Sequence, residues 1–220
     1  MRDGSSRASR RDEFEAAKAA TRAEIQKVQP HVGYLDAMRD VLPRDGFFVE
    51  EICQTGFSSY FAFPVYAPRT FVTCGYQGTL GFGYSTSLGV KVAHPGKAVL
   101  SISGDGGFMF GVQELATAVQ HGIHVVSVVF NNGAFGNVMR DQEERFAGHV
   151  IGAQLRNPDF VKLADSFGMA GYRVNTPAGL RQTLEKAFAA DAPALIEVTV
   201  ERSQEVSPWG FLMPPARPMQ

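Results

Sequence analysis

Two short, largely apolar runs, AVLSIS at residues 98–103 and VVSVVF at residues 125–130, constrain this chain more than any other feature. A strand with one wet face alternates apolar and polar residues, whereas continuous runs of this length suit parallel strands buried on both faces. Such strands need helices above and below them and a crossover between neighbours. Residues 112–121 (VQELATAVQH) supply a helical pattern between the two runs. The same alternation extends outward: FFVEE from Gly46, Phe71 to Thr73, Tyr172 to Val174 and ALIEVTV at 194–200 read as strands. Asn157-Pro158 and Thr176-Pro177 each place a capping side chain before a proline, opening helices over 158–167 and 177–190. Residues 78–95 read as a glycine-rich helix ending at Pro95, with glycines at 78, 81, 83 and 89. The fold expected is α/β: a doubly wound, mainly parallel sheet with helices on both faces. Residues 1–11 read as a flexible polar start, 12–45 as a helical lead-in packed on the surface, 46–202 as the body and 203–220 as an extended, proline-rich tail.

Composition narrows the partners. A formal charge of -1 provides no broad basic field, which argues against nucleic acid or an anionic membrane. Cys53 and Cys74 have no metal-ligand spacing and read as free thiols in a reducing compartment. The start has no apolar core of a leader and no run is long enough to span a bilayer, so the cytoplasm is expected.

The two central runs end in polar loops, Gly104-Asp105-Gly106 and Asn131-Asn132. Ligands of doubly wound sheets bind beyond the carboxyl ends of the strands, so the two loops form one place. Glycines beside Asp105 let backbone amides approach a phosphate, and a helix start adds its positive end. The Asp105 carboxylate would repel that phosphate unless a cation lay between them. Magnesium, held by a carboxylate and an amide oxygen together with phosphate oxygens, resolves the conflict. The arrangement predicts a metal-diphosphate site. Singly, each loop is an ordinary turn sequence, and Asp105 also reads as a helix-capping carboxylate. The run GDGGFMFG lacks the GxGxxG spacing of dinucleotide sites, and GxxxxGK[ST] is absent.

GDG, then 24 residues (107–130), then NN resembles the thiamine-diphosphate fingerprint. Over roughly residues 29–213 the chain resembles the cofactor-diphosphate-binding domain of 2-keto-acid-handling thiamine-diphosphate enzymes, nearest the acetolactate synthase-like branch. The resemblance implies that Asp105 and Asn132 hold Mg2+ through side-chain oxygens, with the Ala134 carbonyl as a third ligand. Gly104, Gly106, Gly107 and Phe108 would line the diphosphate, and Gln54 and Thr55 would reach it from the other side. Leu80, which also reads as an ordinary core leucine, would wedge thiamine diphosphate into its bent shape, and the Gly78 carbonyl would accept from its amino group. Phe135, Gly136, Asn137 and Val138 would continue toward the thiazolium and the substrate.

The resemblance further implies lyase or transferase chemistry on a 2-keto acid and an oligomer, of like or unlike chains. The glutamate that activates the cofactor belongs, in the family, to a pyrimidine-binding domain that these residues do not contain; Glu50 and Glu51 lie on the first strand and do not replace it. The chain is therefore expected to be half an active site, inactive alone, or else a non-catalytic interaction module that keeps the fold. Asp141 stands where acetolactate synthases carry a tryptophan, which argues against acetolactate synthesis. Arg140, Asp141 and Arg145 either bind another acceptor or pair on a helix surface. The tail around Trp209-Gly210-Phe211 either folds over the site or packs at a subunit interface.

Overall fold

The computed structural model describes residues 9–213, so most of the expected flexible start and the last seven positions of the tail lie outside the described residues. Strands β1 (Phe47–Glu50), β2 (Phe71–Thr73), β3 (Val99–Gly104), β4 (Val126–Asn131), β5 (Ala170–Val174) and β6 (Ala194–Thr199) form one parallel sheet in the order β2-β1-β3-β4-β6-β5. The helices are α1 (Arg11–Ile25), α2 (His31–Val41), α3 (Gln54–Ala62), α4 (Phe82–Ala93), the single turn α5 (Asp105–Phe108), α6 (Glu114–His121), α7 (Gly136–Arg145), α8 (Phe160–Ser166), α9 (Pro177–Ala189) and the single turn α10 (Trp209–Leu212). No helix among the described residues is long and apolar enough to cross a membrane.

The central runs do what their composition dictates. Successive side chains of a strand point to opposite faces, and here they enter two cores. Phe48, Leu100, Ile102, Val126 and Val128 pack with Leu35 and Met38 of α2 and Leu180 and Leu184 of α9. Val49, Val99 and Val129 pack on the other face with Tyr84 and Leu88 of α4, Leu115 of α6 and Phe160 of α8. Serines interrupt the runs without penalty because they find partners inside: Ser101 donates to Ser127 at 3.0 Å across the β3–β4 pair.

Four features differ from the sequence reading. Helix α2 is no surface lead-in: Val32, Leu35 and Met38 are fully buried, and α2 forms part of one covering layer. The glycine-rich helix starts at Phe82 rather than Gly78, because Gly78 and Gly81 adopt left-handed backbone angles (φ 58° and 84°) that make a turn. Gly83, inside α4, does serve close packing, since a Cβ there would lie 2.8 Å from the Ile102 carbonyl oxygen. The cap of α8 is Asp159, which accepts from the amides of Val161 and Lys162, and Asn157 is released for another task. Finally, residues 202–213 are not extended: a short 3-10 turn at Arg202–Gln204 and α10 fold the segment back against the body.

Candidate functional site

The strand order reverses between β1 and β3, since the chain runs from β1 outward to β2 and then crosses to β3 on the far side. A crevice beyond the carboxyl ends is expected at such a point. A cavity of about 280 Å³ opens there, between the residues that follow β1 and those that follow β3 and β4. First-turn residues of three helices face it: Gln54 and Thr55 of α3, Asp105 to Gly107 of α5, and Gly136 to Val138 of α7. The first amides of a helix have no acceptor within it, so the cavity is walled by N–H donors and by the positive ends of peptide dipoles. Such a wall suits a multiply charged anion.

Glycines shape these walls for reasons the sequence does not disclose. A Cβ at Gly106 would meet the Phe135 ring at 2.4 Å, and one at Gly107 would meet the Glu51 carboxylate at 1.9 Å. The spacing GDGG therefore makes room for an aromatic ring and a buried acid as well as for an approaching ligand. Glu51 itself is fully buried and accepts from the amides of Gly81 (3.0 Å) and Gly83 (2.7 Å) and the hydroxyl of Ser103 (3.1 Å). That acid ties the Gly78–Gly81 turn to the sheet and presents Leu80 and Gly78 to the cavity.

Asp105 is buried at the opposite wall. Its Oδ1 accepts from the Gly106 amide at 3.0 Å, and its Oδ2 accepts from the Gly133 amide at 2.9 Å and from Asn157 Nδ2 at 2.7 Å. Burial pushes its carboxyl above the ordinary range, against the pull of these donors. Asn157 also donates to Asn131 Oδ1 at 2.9 Å, and Asn131 donates to Glu197, which pairs with Arg173 at 2.7 Å. The loop after β4 is further pinned by an antiparallel bridge in which the Phe135 amide donates to the Ala153 carbonyl and the Leu155 amide to the Gly133 carbonyl, both at 2.8 Å. Ala134, between those bonds, directs its amide to Asn132 Oδ1 at 3.2 Å, and its carbonyl takes no part in the bridge.

The residues fit a hard cation with a diphosphate. Asp105, Asn132 and Ala134 line one cavity and carry a carboxylate, an amide oxygen and a backbone carbonyl, the oxygen donors such an ion takes. A second carboxylate, Glu205, enters the same cavity, and burial raises its carboxyl too, with the charge of Asp105 adding to the rise. Two desolvated acids beside three helix starts leave room for a positive ion and then an anion. Gln54 Oε1 is buried without a partner on the facing wall, an orphan that a bound group would satisfy.

Most of the residues named from the sequence meet here: Gln54, Thr55, Gly78, Leu80, Gly104, Asp105, Gly106, Gly107, Asn132, Ala134, Phe135, Gly136, Asn137 and Val138 all line the cavity. Phe108 does not. Its ring is fully buried in the core, edge-on to Tyr84 and Phe160, because one helical turn after Asp105 carries it to the inner side. Asn157, Glu205 and His31 were missed. Asn157 looked like a helix cap, whereas Glu205 enters the cavity, with His31 behind it, only through the folding back of the tail and the burial of α2. Asp141 and Arg145 form an exposed pair at 3.0 Å along α7, whereas Arg140 donates to Ser207 and Asn137. The tail lies against the cavity rim: Trp209 Nε1 donates to Asn137 Oδ1 at 2.8 Å, and its ring lies 5.1 Å from Phe57.

Fold and cavity together define a doubly wound α/β domain with a switch-point cavity walled by helix starts. Residues 52–198 match the family described as thiamine pyrophosphate enzyme, C-terminal TPP binding domain, and the chain belongs to that family. It is 37% identical over 148 residues to the acetolactate synthase large subunit of Haemophilus influenzae, a match covering 66% of this chain and 26% of the relative. With isozyme 1 large subunit of Escherichia coli acetolactate synthase it shares 30% identity, over 84% of this chain and 33% of the relative. Among solved structures, the thiamine diphosphate-dependent 4-hydroxybenzoylformate decarboxylase of Rhodococcus jostii superposes with a TM-score of 0.72 at 29% identity, covering 78% of this chain and 32% of that one. The chain thus spans between a quarter and a third of the length of these proteins.

Proposed function

We propose that the chain is the diphosphate-binding half of a thiamine-diphosphate- and Mg2+-dependent enzyme acting on 2-keto acids, by decarboxylation or carboligation. The convergence of three helix starts on a cavity that also receives Asp105, Asn132 and Ala134 carries this reading. Asp105 and Asn132, with the Ala134 carbonyl, would hold Mg2+; the first-turn amides of α3 and α7 would hold the diphosphate. Bound there, the cofactor supplies the electron sink that a 2-keto acid needs to lose carbon dioxide. The chain's own contribution is orientation and exclusion of water. Leu80 projects from a turn that Glu51 fixes, and Gly78 in that turn leaves its backbone open to the cavity. Phe135 and Val138 line the remaining mouth with apolar surface.

The activating glutamate comes, in this reading, from a pyrimidine-binding domain on another chain or another segment. Tyr76 and Phe110 are exposed beside the Gly78–Gly81 turn and offer it apolar surface. Calorimetric titration of the chain with thiamine diphosphate, with and without Mg2+, tests the proposal: Mg2+-dependent binding and no turnover of pyruvate by the chain alone are expected. Turnover by the pure chain would overturn the half-site, and absence of Mg2+-dependent binding, even with a candidate partner, would leave a non-catalytic interaction module.

A further inference from the structure

Asn132 is useful to a cation only if its carbonyl oxygen, and not its NH2 group, faces the metal position. Shape alone does not enforce that choice, because an amide occupies nearly the same volume either way round. Its hydrogen-bond partners, one backbone amide and one side chain, do. Asn132 Nδ2 donates to Glu205 Oε2 at 2.9 Å, while Oδ1 accepts from the Ala134 amide at 3.2 Å. Turning the amide over would set Oδ1 against the Glu205 carboxylate and Nδ2 against the Ala134 N–H, so both contacts would become repulsive. Gly136 leaves space for this placement, since a Cβ there would lie 2.8 Å from Asn132 Nδ2.

Glu205 is itself held from behind. It belongs to the segment after β6, which folds back so that the Val206 amide donates to the Gln29 carbonyl at 2.9 Å. The buried imidazole of His31, on α2, places Nε2 3.7 Å from Glu205 Oε1 and Nδ1 3.1 Å from Thr55 Oγ1. Apart from Glu205 that Nε2 has no partner. Two segments more than 170 positions apart therefore meet behind one amide. On the far side, Arg140 donates to Ser207 and Trp209 to Asn137, so the tail is fastened to α7 as well.

We propose that Glu205 is a positioning residue for the cation site: its carboxylate fixes the Asn132 amide with Oδ1 toward the metal, and the folded-back tail delivers it. The inference rests on the proposed cofactor reading for its consequence, though the amide orientation itself can be read without cofactor. A partner behind a metal ligand typically changes metal affinity by 10–100-fold.

Calorimetry on the full chain with Mg2+ and thiamine diphosphate, and nuclear magnetic resonance of the Asn132 side-chain amide without cofactor, test it together. In Glu205→Ala the Mg2+-dependent affinity should fall roughly 10–100-fold, and the downfield amide proton bonded to a carboxylate should disappear. Glu205→Gln, which keeps an acceptor for Nδ2, should retain most of the affinity. The decisive variant is Asn132→Asp, whose carboxylate presents an oxygen either way round. Alone it faces Glu205 as a like charge and should weaken binding; combined with Glu205→Ala it should bind more tightly than Glu205→Ala does. Wild-type affinity in Glu205→Ala, or no recovery in the double variant, would overturn the positioning role and leave Glu205 as a packing residue. Should Glu205→Ala fail to fold, Glu205→Gln and the wild-type amide signal decide. If the wild-type chain binds no cofactor even with a candidate partner, the proposed function fails, and the amide signal alone then settles orientation.

Discussion

Two stretches of the same sheet edge bury carboxylates and treat them differently. Glu51 itself is saturated: two backbone amides and a hydroxyl meet its oxygens, and the donors belong to the turn, the start of α4 and strand β3. The Asp105 carboxylate also takes three donors, but it opens on a cavity that it shares with Glu205 and with Gln54 Oε1, which has no partner, and the His31 Nε2 behind them has no hydrogen-bond partner. Burial of a fully partnered acid organises a fold, and burial of under-partnered groups around an opening marks where something else is meant to bind.

The largest effect should come from the saturated side. Glu51→Ala leaves the Gly81 and Gly83 amides and the Ser103 hydroxyl without an acceptor, and unmade buried hydrogen bonds of this kind together cost about 4 kcal/mol. Chemical denaturation should show that loss, with Leu80 released from its place. A stability within 1 kcal/mol of wild type, roughly the cost of one hydrogen bond, would mean that the turn is held by something other than Glu51.

The next effect comes from behind the cavity. Burial lowers the His31 imidazole to about 4. Its unfolded value is ~6.5, so between these values the unfolded chain binds a proton that the folded chain refuses. Stability then falls as the pH drops through that window, by about 3 kcal/mol in all. The raised carboxyl of Glu205 acts in the opposite sense, so the comparison must be with His31→Gln, which removes only the imidazole contribution. Urea midpoints at pH 7 and pH 4.5 should converge in the variant; equal slopes in both proteins would show that His31 is solvated.

Asp105→Asn should weaken Mg2+-dependent thiamine diphosphate binding about a hundredfold, since it removes the one formal charge among the proposed ligands. Melting with and without Mg2+ and cofactor gives the same answer, because the ligand-induced rise in melting temperature should vanish. Persistence of that rise would move the cation elsewhere in the cavity.

The split between the two sides also explains what the sequence disclosed. Strands β3 and β4 were legible because AVLSIS and VVSVVF leave no face for water, and the loops at their ends follow from the topology. The pairing of Asp105 with Asn132 was legible from their spacing, which resembles the thiamine-diphosphate fingerprint. The Gly78–Gly81 turn was misread as helix because its glycines continue the pattern of α4, and a left-handed backbone angle leaves no trace in composition. Phe108 was assigned to the diphosphate because a motif gives a residue's place but not the direction of its ring. Glu205 and His31 could not be found at all, because their meeting depends on a tail and a lead-in helix that carry no motif.

Asn157 is the residue that separates motif from geometry most sharply, and its effect should be the smallest of the four. It stands before a proline, where a cap is expected, yet Asp159 caps α8 and Asn157 instead bridges Asp105 Oδ2 and Asn131 Oδ1. Asn157→Ala should therefore leave α8 intact and loosen Asp105. Removing a donor to a metal-ligating carboxylate weakens the metal about tenfold, and Asp105, losing a bond that holds its carboxyl down, should become easier to protonate. The weakening should then deepen as the pH falls, because protons compete with Mg2+ for the same oxygen. Asp159→Ala provides the contrast: it removes the cap and one of the two carboxylates that Arg173 meets, the other being Glu197, costs about 1 kcal/mol of stability for the cap and should leave Mg2+ affinity and its pH dependence unchanged. If the two variants behave alike, Asn157 acts through the helix, and the link from Asn157 to Asp105 has no bearing on the cation.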